Sequence, residues 1–255
     1  MNCIVCLKQT PDSETRIVLD DAGQVDAGSI RYTMNPYDEH ALEEALRIKE
    51  KHGGKVTVLT LLPAQENTEY VTQALAMGAD EAIAVCDPLL NNSDQAATAK
   101  AAAALLKTTE FDLILCGKEA IDDGFAIFPS ALAELLNIGQ INVITDLKIE
   151  GNNILATRDI DGGSETISAA IPALISAQKG LNEVRYPPLS RIMRAKRIKV
   201  KKLTVADLGL TAKDIQPLVE IKKIELPAPR KAGVRLQGSE EEVVCRLAET
   251  IRKLL

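Results

Sequence analysis

The segment 117–124 combines residue types that could bind a ligand. It reads Gly-Lys-Glu-Ala-Ile-Asp-Asp-Gly and stands between an apolar run and a helical pattern. At such a junction the free amides at the start of the helix, together with the helix dipole, attract anions. Asp122 and Asp123 would repel a phosphate, so we expect them either to bind ribose hydroxyls or to cap the following helix.

No other side chains are spaced for catalysis or metal binding. The Walker A and Gly-x-Gly-x-x-Gly patterns are missing from the sequence, and no serine, histidine and carboxylate are spaced as a nucleophile with its base. Two histidines and five scattered cysteines cannot supply four zinc ligands. Cys3 and Cys6 fall on one predicted strand, point to opposite faces and are predicted to be buried apolar side chains. We therefore predict no catalytic residue and no metal site.

Composition excludes several classes of protein. Of the 255 residues, 46% are hydrophobic and 26% are charged, which suffices for one large core or two modest ones. The apolar runs are far shorter than the roughly 20 residues of a membrane helix, and the first residues lack the pattern of a signal peptide. An odd number of cysteines in a chain of this length suits a reducing compartment. We expect a cytoplasmic protein without a membrane-inserted segment.

Charge is distributed unevenly along the chain. Residues 191–255 contain 16 of the 30 Lys and Arg but 8 of the 36 Asp and Glu, a net charge of +8, which leaves −14 for residues 1–190. This asymmetry predicts a basic arm that rests on an acidic surface of its own body or of a partner. Nucleic acid fits less well, because the basic run lacks interleaved aromatic residues and a nucleic-acid-binding motif.

Short apolar runs alternate with helical patterns over most of residues 1–190. The predicted strands are Ile4–Leu7, Val56–Leu62, Ala82–Cys86 and Leu113–Cys116. The predicted helices run from Asn35-Pro36, from about Asn67 to Met77, from Ser93 or Asp94 to about Lys107, and from about Pro129 to Leu136. Alternation of this kind predicts an α/β domain with a doubly wound parallel sheet. Its ligands bind beyond the carboxyl ends of the strands, in loops that here begin at Lys8, Pro63 and Gly117.

A different pattern starts near Asn142. Strand-like runs that end at Ala177, with turns at Gly151-Asn152 and Gly162-Gly163, predict a hairpin extension of the sheet. The chain then becomes basic, and it ends in an amphipathic helix that starts with a capping box from Ser239 to Glu242. We interpret residues 1–190 as an α/β domain and residues 191–255 as a C-terminal docking arm.

One long pattern resembles a known family. Residues 158–167, Arg-Asp-Ile-Asp-Gly-Gly-Ser-Glu-Thr-Ile, followed by Ile-Pro-Ala-Leu-Ile-Ser at 171–176, are similar to the signature of the beta subunit of electron transfer flavoproteins. Further similar segments follow in order along the chain: Asn35–Tyr37, Ala74–Asp80, Gly117–Asp123, Leu181–Leu189 and Ala232–Val234. The resemblance implies a sheet of the adenine-nucleotide alpha hydrolase-like type.

The resemblance also implies partners and cofactors. The family pairs this subunit with an alpha subunit that holds most contacts to FAD, and the heterodimer carries electrons between a flavin dehydrogenase of the acyl-CoA dehydrogenase type and a redox acceptor. The beta subunit itself binds AMP, or a second FAD in members that bifurcate electrons from NADH. By similarity, the cofactor-binding residues are Cys6, Leu7, Lys8, Gln9, Asn35, Pro36, Gly117, Ala120, Asp122 and Asp123.

Further residues are expected by similarity to bind partners. Glu165 is expected at the subunit junction, and Tyr186 and Leu189 belong to a segment that resembles the recognition loop for a dehydrogenase. The basic residues expected to dock on the alpha subunit are Arg194, Lys196 and Arg197.

The sequence departs from the family at several positions. Residues Ala126-Ile127-Phe128-Pro129 stand where the family has phosphate ligands, and they offer no side-chain donor. Asp94 and Thr98 instead resemble positions of bifurcating members, while Val184 and Ser190-Arg191 differ from the usual recognition loop. AMP, a second FAD and no nucleotide all stay open for this subunit. A stand-alone adenine-nucleotide-binding regulatory protein is the alternative from a different class.

Overall fold

The computed structural model describes residues 1–20, 23–63, 68–91, 93–230 and 232–254. It divides into two compact units, which are described separately. The first comprises residues 1–17 and 26–222, and the second comprises residues 18–25 and 223–255. The predicted start of the second helix at Asn67 and the loop that follows Pro63 lie outside the described residues.

The first unit alternates strands and helices over most of its length. Its strands are β1 (Asn2–Cys6), β2 (Gln9–Pro11), β3 (Tyr32–Met34), β4 (Lys55–Leu62), β5 (Glu81–Cys86), β6 (Leu113–Gly117), β7 (Gly139–Glu150), β8 (Asn153–Ile160), β9 (Gly163–Ala170), β10 (Ala173–Ala177) and β11 (Lys201–Leu203). Its α-helices are α1 (Pro36–His52), α2 (Glu69–Met77), α3 (Gln95–Leu106), α4 (Phe128–Leu136) and α5 (Leu189–Ala195). The four early strands and four helices predicted from the sequence are confirmed, with ends that move by one or two residues.

A nine-stranded sheet organises this unit within the described residues, and β2 and β3 form a separate antiparallel pair. The strand order of the nine-stranded sheet is β11-β5-β4-β1-β6-β10-β7-β8-β9. Pairing is parallel from β11 through β7 and antiparallel between β7, β8 and β9. The doubly wound parallel sheet with a hairpin extension is therefore confirmed.

The path of β10 through the sheet is visible only in three dimensions. Although β10 follows β9 along the chain, it returns to pair in parallel with both β6 and β7. All five of its residues are buried, since it lies in the middle of the sheet. Opposite its end, β7 contains a bulge where Val143 adopts a φ of 63°, a strained conformation for a β-branched residue.

Each face of the sheet carries its own apolar core. Cys3 and Val5 of β1 pack with residues of α1 and α2, while Ile4 and Cys6 pack with residues of α3 and α4. The alternation follows from the two-residue period of a strand. It confirms that Cys3 and Cys6 are buried on opposite faces, as predicted.

Helix ends agree with the sequence at some positions and differ at others. Gly78 ends α2 with a φ of 139°, and Asp94 caps α3 by accepting a hydrogen bond from the Ala97 amide at 2.8 Å. Asn35 occupies the N-cap position of α1, but its side chain makes no capping hydrogen bond. The predicted N-cap position of Asn35 before Pro36 is therefore confirmed, but other partners engage its side chain.

The basic stretch after Ser190 is partly folded onto the sheet. Helix α5 packs against α2, and β11 pairs in parallel with β5 at one edge. Arg191, Arg194, Lys196 and Arg197 are nevertheless exposed. These residues present positive charge to solvent from an ordered scaffold.

The second unit contains the terminal helix α6 (Glu240–Arg252). Ser239 and Glu242 form the predicted capping box in both directions. Four apolar residues of this helix region are exposed: Val244, Leu247, Ile251 and Leu254. Across the described part of the chain, none of the helices has the length and apolar character needed to span a membrane.

Candidate functional site

The predicted cofactor-binding residues converge at the carboxyl ends of β1 and β6. These two strands are neighbours in the sheet, yet the chain leaves β1 toward β4 and reaches β6 only after β5. The strand order therefore reverses between β1 and β6, and such a crevice is where open α/β sheets bind ligands. The structure brings Lys8, Asn35, Gly117, Asp122 and Asp123 together at this edge.

Asp38 holds the ends of β1 and β6 together from the first turn of α1. Its carboxylate accepts hydrogen bonds from the Lys8 amide at 2.7 Å, the Gly117 amide at 3.0 Å and the Asn35 side-chain amide at 3.0 Å. Burial raises the pKa of Asp38 to about 7, although these three hydrogen bonds oppose the increase. Asp38 is not among the cofactor-binding residues predicted from the sequence.

Gly117 is required by this close packing. A Cβ atom at this position would lie 2.4 Å from Asp38 Oδ1 and 2.7 Å from Tyr37 Cβ. Both distances are shorter than the van der Waals contact of a Cβ atom, so a side chain at this position would force its neighbours to move. The glycine therefore lets the start of α1 approach the end of β6.

Asn35 ties the 117–124 loop to the start of α1. Its side-chain amide donates to the Glu119 carbonyl at 2.8 Å, and its Oδ1 accepts from the Ile121 amide at 3.2 Å. These contacts replace the side-chain hydrogen bond of a helix cap. Asn35 is buried, and the four hydrogen-bonding capacities of a primary amide explain why it suits this position.

Lys8 joins the end of β1 to the paired aspartates. Its Nζ lies 2.8 Å from Asp122 Oδ1 and 3.1 Å from Asp123 Oδ2. Burial alone would lower the pKa of Lys8, but hydrogen bonds and charge from the two aspartates outweigh it, so the pKa is raised. Burial would raise the pKa of Asp123, but the hydrogen bond from Gln95 and the charge of Lys8 outweigh it, so the pKa is lowered.

Gln95, in the first turn of α3, caps the neighbouring helix α4. Its Oε1 accepts hydrogen bonds from the amides of Ile127 and Phe128, both at 2.8 Å. Its Nε2 donates to Asp123 Oδ1 at 2.7 Å. Asp122 and Asp123 thus do not cap α4, so that alternative of the sequence analysis is wrong. Sequence reasoning missed Gln95, because the residue lies 32 positions before the helix that it caps.

Most donors at this edge of the sheet are paired within the chain and therefore fit a phosphate group poorly. A phosphate needs free amides or cations, yet nine of the amides along the two loops donate to acceptors within the chain. These amides belong to Lys8, Gly117, Lys118, Ile121, Asp123, Gly124, Phe125, Ile127 and Phe128. The Lys8 charge is met by two aspartates, and Lys118 Nζ lies 3.2 Å from Glu119 and 4.7 Å from the centre of the Tyr37 ring.

The residues predicted to bind partners lie in two separate regions. Glu165 is on β9, at one edge of the sheet, where it pairs with Arg158 across the hairpin at 2.5 Å. Tyr186 and Leu189 lie at the start of α5, which packs on α2 toward the other edge; their exposed fractions are 94% and 74%. Arg194, Lys196 and Arg197 follow on the same segment.

Arg185 anchors the start of this exposed segment to α1. Its guanidinium bonds Glu43 at 2.8 Å and Glu50 at 2.5 Å. Burial would raise the pKa of the Glu43 carboxyl, but hydrogen bonds from Arg185 and Arg47 outweigh it, so the pKa is lowered. Arg185 was not singled out by the sequence, since only the fold brings residues 43 and 185 together.

Comparison with known proteins decides the family. The model of the electron transfer flavoprotein domain matches residues 23–208. The chain belongs to the electron transfer flavoprotein family. It is 40% identical over 253 residues to the electron transfer flavoprotein subunit beta of Bacillus subtilis, a match that covers 99% of this chain and 98% of that protein.

More distant relatives carry the same description. The beta subunit from Syntrophomonas wolfei is 36% identical over 252 residues, covering 99% of this chain and 96% of the relative. The beta subunit from Bos taurus is 34% identical over 252 residues, covering 98% and 97%. The resemblance to the beta subunit seen in the sequence motifs is therefore confirmed over nearly the whole chain.

Proposed function

We propose that this chain is the beta subunit of a heterodimeric electron transfer flavoprotein. It carries electrons between a flavin dehydrogenase of the acyl-CoA dehydrogenase type and a redox acceptor, with FAD held mainly by the alpha subunit. The observation that carries the proposal is the full-length similarity to relatives named as beta subunits. The chain itself makes and breaks no bonds of a substrate in this role.

The loops at the ends of β1 and β6 serve as the nucleotide-facing wall of the subunit. Lys8, Asn35 and Asp38 hold these loops in one arrangement through buried or half-buried hydrogen bonds. The other proposed cofactor-binding residues belong to the same wall: Cys6, Leu7, Gln9, Pro36, Gly117, Ala120, Asp122 and Asp123. Such a rigid wall can border the FAD of the heterodimer without reorganising.

The exposed segment 186–189 serves as the surface that meets the dehydrogenase. Leu189 is an exposed leucine at the first position of α5, and Arg185 fixes the preceding backbone through its pairs with Glu43 and Glu50. An apolar anchor on a preorganised segment suits a transient electron-transfer contact, because little entropy is lost on binding. Arg194, Lys196 and Arg197 follow along the chain and belong to the arm that docks on the alpha subunit.

The terminal helix docks on the alpha subunit. Its apolar residues Val244, Leu247, Ile251 and Leu254 are exposed, as expected of a helix face that a partner covers. Replacing Val244, Leu247 and Ile251 together by serine should weaken heterodimer assembly without changing the fold of the first unit. Glu165 belongs to the same interface in this proposal.

An ordinary carrier is favoured over a bifurcating form. Both oxygens of Asp94, which resembles a position of bifurcating members, already accept amide hydrogen bonds from Ala97, Leu218 and Val219. Thr98 donates its hydroxyl to the Asp94 carbonyl at 2.9 Å. These contacts give the two residues structural roles. None of the five cysteines, all of which the structure describes, forms a disulfide, which suits the reducing cytoplasm where we place the protein.

Co-expression with the alpha subunit tests the function. The expected product is a yellow heterodimer with one FAD that accepts electrons from an acyl-CoA dehydrogenase. Two flavins per heterodimer, with oxidation of NADH, would instead identify a bifurcating form. A colourless homodimer that retains ATP would contradict the proposal and support a stand-alone nucleotide-binding protein.

A further inference from the structure

The side chain of Gln95, in α3, bonds the first amides of the neighbouring helix α4. The amides of Ile127 and Phe128 form the start of α4, and Pro129 removes the next donor. In an α/β protein, this is the position where a helix offers its first amides to a ligand phosphate. Here both amides are already satisfied by one oxygen from within the chain.

The Gln95 side chain is held firmly in this position. Its Nε2 donates to Asp123, and Asp123 in turn accepts from Lys8 Nζ at 3.1 Å and from the Phe125 amide at 3.1 Å. Gln95 therefore connects α3, α4 and the 117–124 loop in one network. Displacing it would leave the amides of Ile127 and Phe128 without their acceptor and would remove one of the three donors to Asp123.

The electrostatics of this network also disfavour a phosphate. Asp122 and Asp123 bring two negative charges, while Lys8, which contacts both, brings one positive charge. A neutral amide oxygen can approach the start of α4 beside these carboxylates, whereas a phosphate would meet repulsion from them. The same residues that retain Gln95 thus exclude a nucleotide phosphate.

We propose that Gln95 takes the place of a nucleotide phosphate at the start of α4, so that this subunit assembles without AMP or a second FAD. The inference rests on the proposed function and narrows it to a carrier with one cofactor. Gln95 is then the residue that determines phosphate specificity of the β1–β6 crevice. It acts by capping α4.

The first test is the nucleotide content of the wild-type heterodimer. Purified protein is denatured with acid, and the released nucleotides are separated and quantified. We expect one FAD per heterodimer and AMP below roughly one tenth of that amount. One AMP or a second FAD per heterodimer would overturn the inference while leaving the carrier function intact. A chain that assembles with no alpha subunit and binds no flavin would instead contradict the function.

The second test compares the binding of AMP with that of adenosine. In Gln95→Ala the Ile127 and Phe128 amides are free, so the preference for AMP over adenosine should rise about tenfold or more, the effect of a charge-assisted hydrogen-bond pair. Gln95→Glu keeps an acceptor at α4 and should show no such gain. Gln24→Ala, at an exposed position, is the matched control. An unchanged preference in Gln95→Ala would overturn the specificity role; if that variant fails to assemble, the wild-type nucleotide content still decides.

Discussion

The loops that follow β1 and β6 differ from the segment 185–197 in the burial of their side chains and in how many polar atoms are hydrogen-bonded within the chain. In the loops, Asp38 and Asn35 are buried and their polar atoms bond to neighbours within the chain. In the segment, Tyr186 and Leu189 leave most of their surface in solvent. The comparison separates a region whose contacts stabilise the fold from one whose apolar surface is free for a partner. Substitutions should therefore affect folding in the first region and electron transfer in the second.

The largest effect on folding is expected at Gly117. A Cβ there collides with Asp38 Oδ1 and Tyr37 Cβ, so Gly117→Ala forces α1 away from β6 and should lower the free energy of unfolding by about 3 kcal/mol. Urea denaturation followed by circular dichroism measures the change. Gly163→Ala is the control, because no atom lies within 4 Å of its added Cβ. Equal stability of the two variants would show that the loops are not tightly packed.

Asp38→Asn should lower the free energy of unfolding by about 2 kcal/mol at pH 7. The asparagine has one acceptor oxygen and would turn its NH₂ group toward a backbone amide that Asp38 now satisfies. Urea titrations of both proteins measure the loss. A variant as stable as the wild type would show that these buried hydrogen bonds do not hold the strand ends together.

The Asp38 effect should also depend on pH. The folded-state pKa of about 7 lies above the ordinary value of 3.8, so the folded chain binds a proton that the unfolded chain releases between these values. The Asp38 titration therefore contributes most stability below pH 3.8, and the contribution is lost as the pH rises through 7. The stability difference between wild type and Asp38→Asn should be larger at pH 5 than at pH 7.5, whereas a constant difference would place the folded-state pKa near its ordinary value.

Arg185→Ala should have a smaller effect, at the boundary between the two regions. Glu43 is buried and loses the guanidinium, while the side chain of Arg47 and the backbone amide of residue 185 still donate to it, so the substitution should reduce the free energy of unfolding by about 1–2 kcal/mol. Because the pKa of Glu43 is lowered in the folded state, this contribution is present above pH 4.5 and is lost as the pH falls further. Arg158→Ala, which breaks a more exposed pair with Glu165, should cost about 0.5 kcal/mol or less.

The smallest effect on folding is expected at Leu189. Its side chain is 74% exposed, so Leu189→Ala should change the free energy of unfolding by less than about 0.5 kcal/mol. The rate of electron transfer from the dehydrogenase should nevertheless fall roughly tenfold, as for an interface hot spot. Stopped-flow reduction of the flavin measures the rate. Leu89→Ala, at another exposed leucine, should leave the rate unchanged, and a similar loss in both variants would contradict the assigned surface.

Secondary structure in the first unit was largely predictable because each element carries its own signals. Buried parallel strands such as Leu113–Gly117 are continuous apolar runs, and α3 and α6 begin at capping residues, Asp94 and Ser239. The turn glycines of the β7–β8–β9 hairpins were equally local signals. The position of β10 between β6 and β7 was not predictable from such signals, since it depends on pairing between distant segments.

The candidate site was predictable in its location but not in its bonding. Motifs placed Lys8, Asn35 and the 117–124 loop at one edge of the sheet, and the structure brings them together. Which donor meets which acceptor could not be read from residue types, because Asn35 and Asp123 each had a local capping role that competed with a distant partner. In the structure, the Asn35 side chain donates to the Glu119 carbonyl, and the Asp123 carboxylate accepts from Gln95.

The amino-acid sequence alone determined the alternation of strands and helices, the family and the segments that carry its motifs. These properties depend on short-range periodicity and on runs of residue types. Only the tertiary structure decided that Asp38 joins β1 to β6, that Gln95 caps α4, and that Glu165 and Leu189 lie in separate regions. Hydrogen bonds form wherever the packed chain brings donors and acceptors within about 3 Å, and no local pattern specifies which distant residues those are.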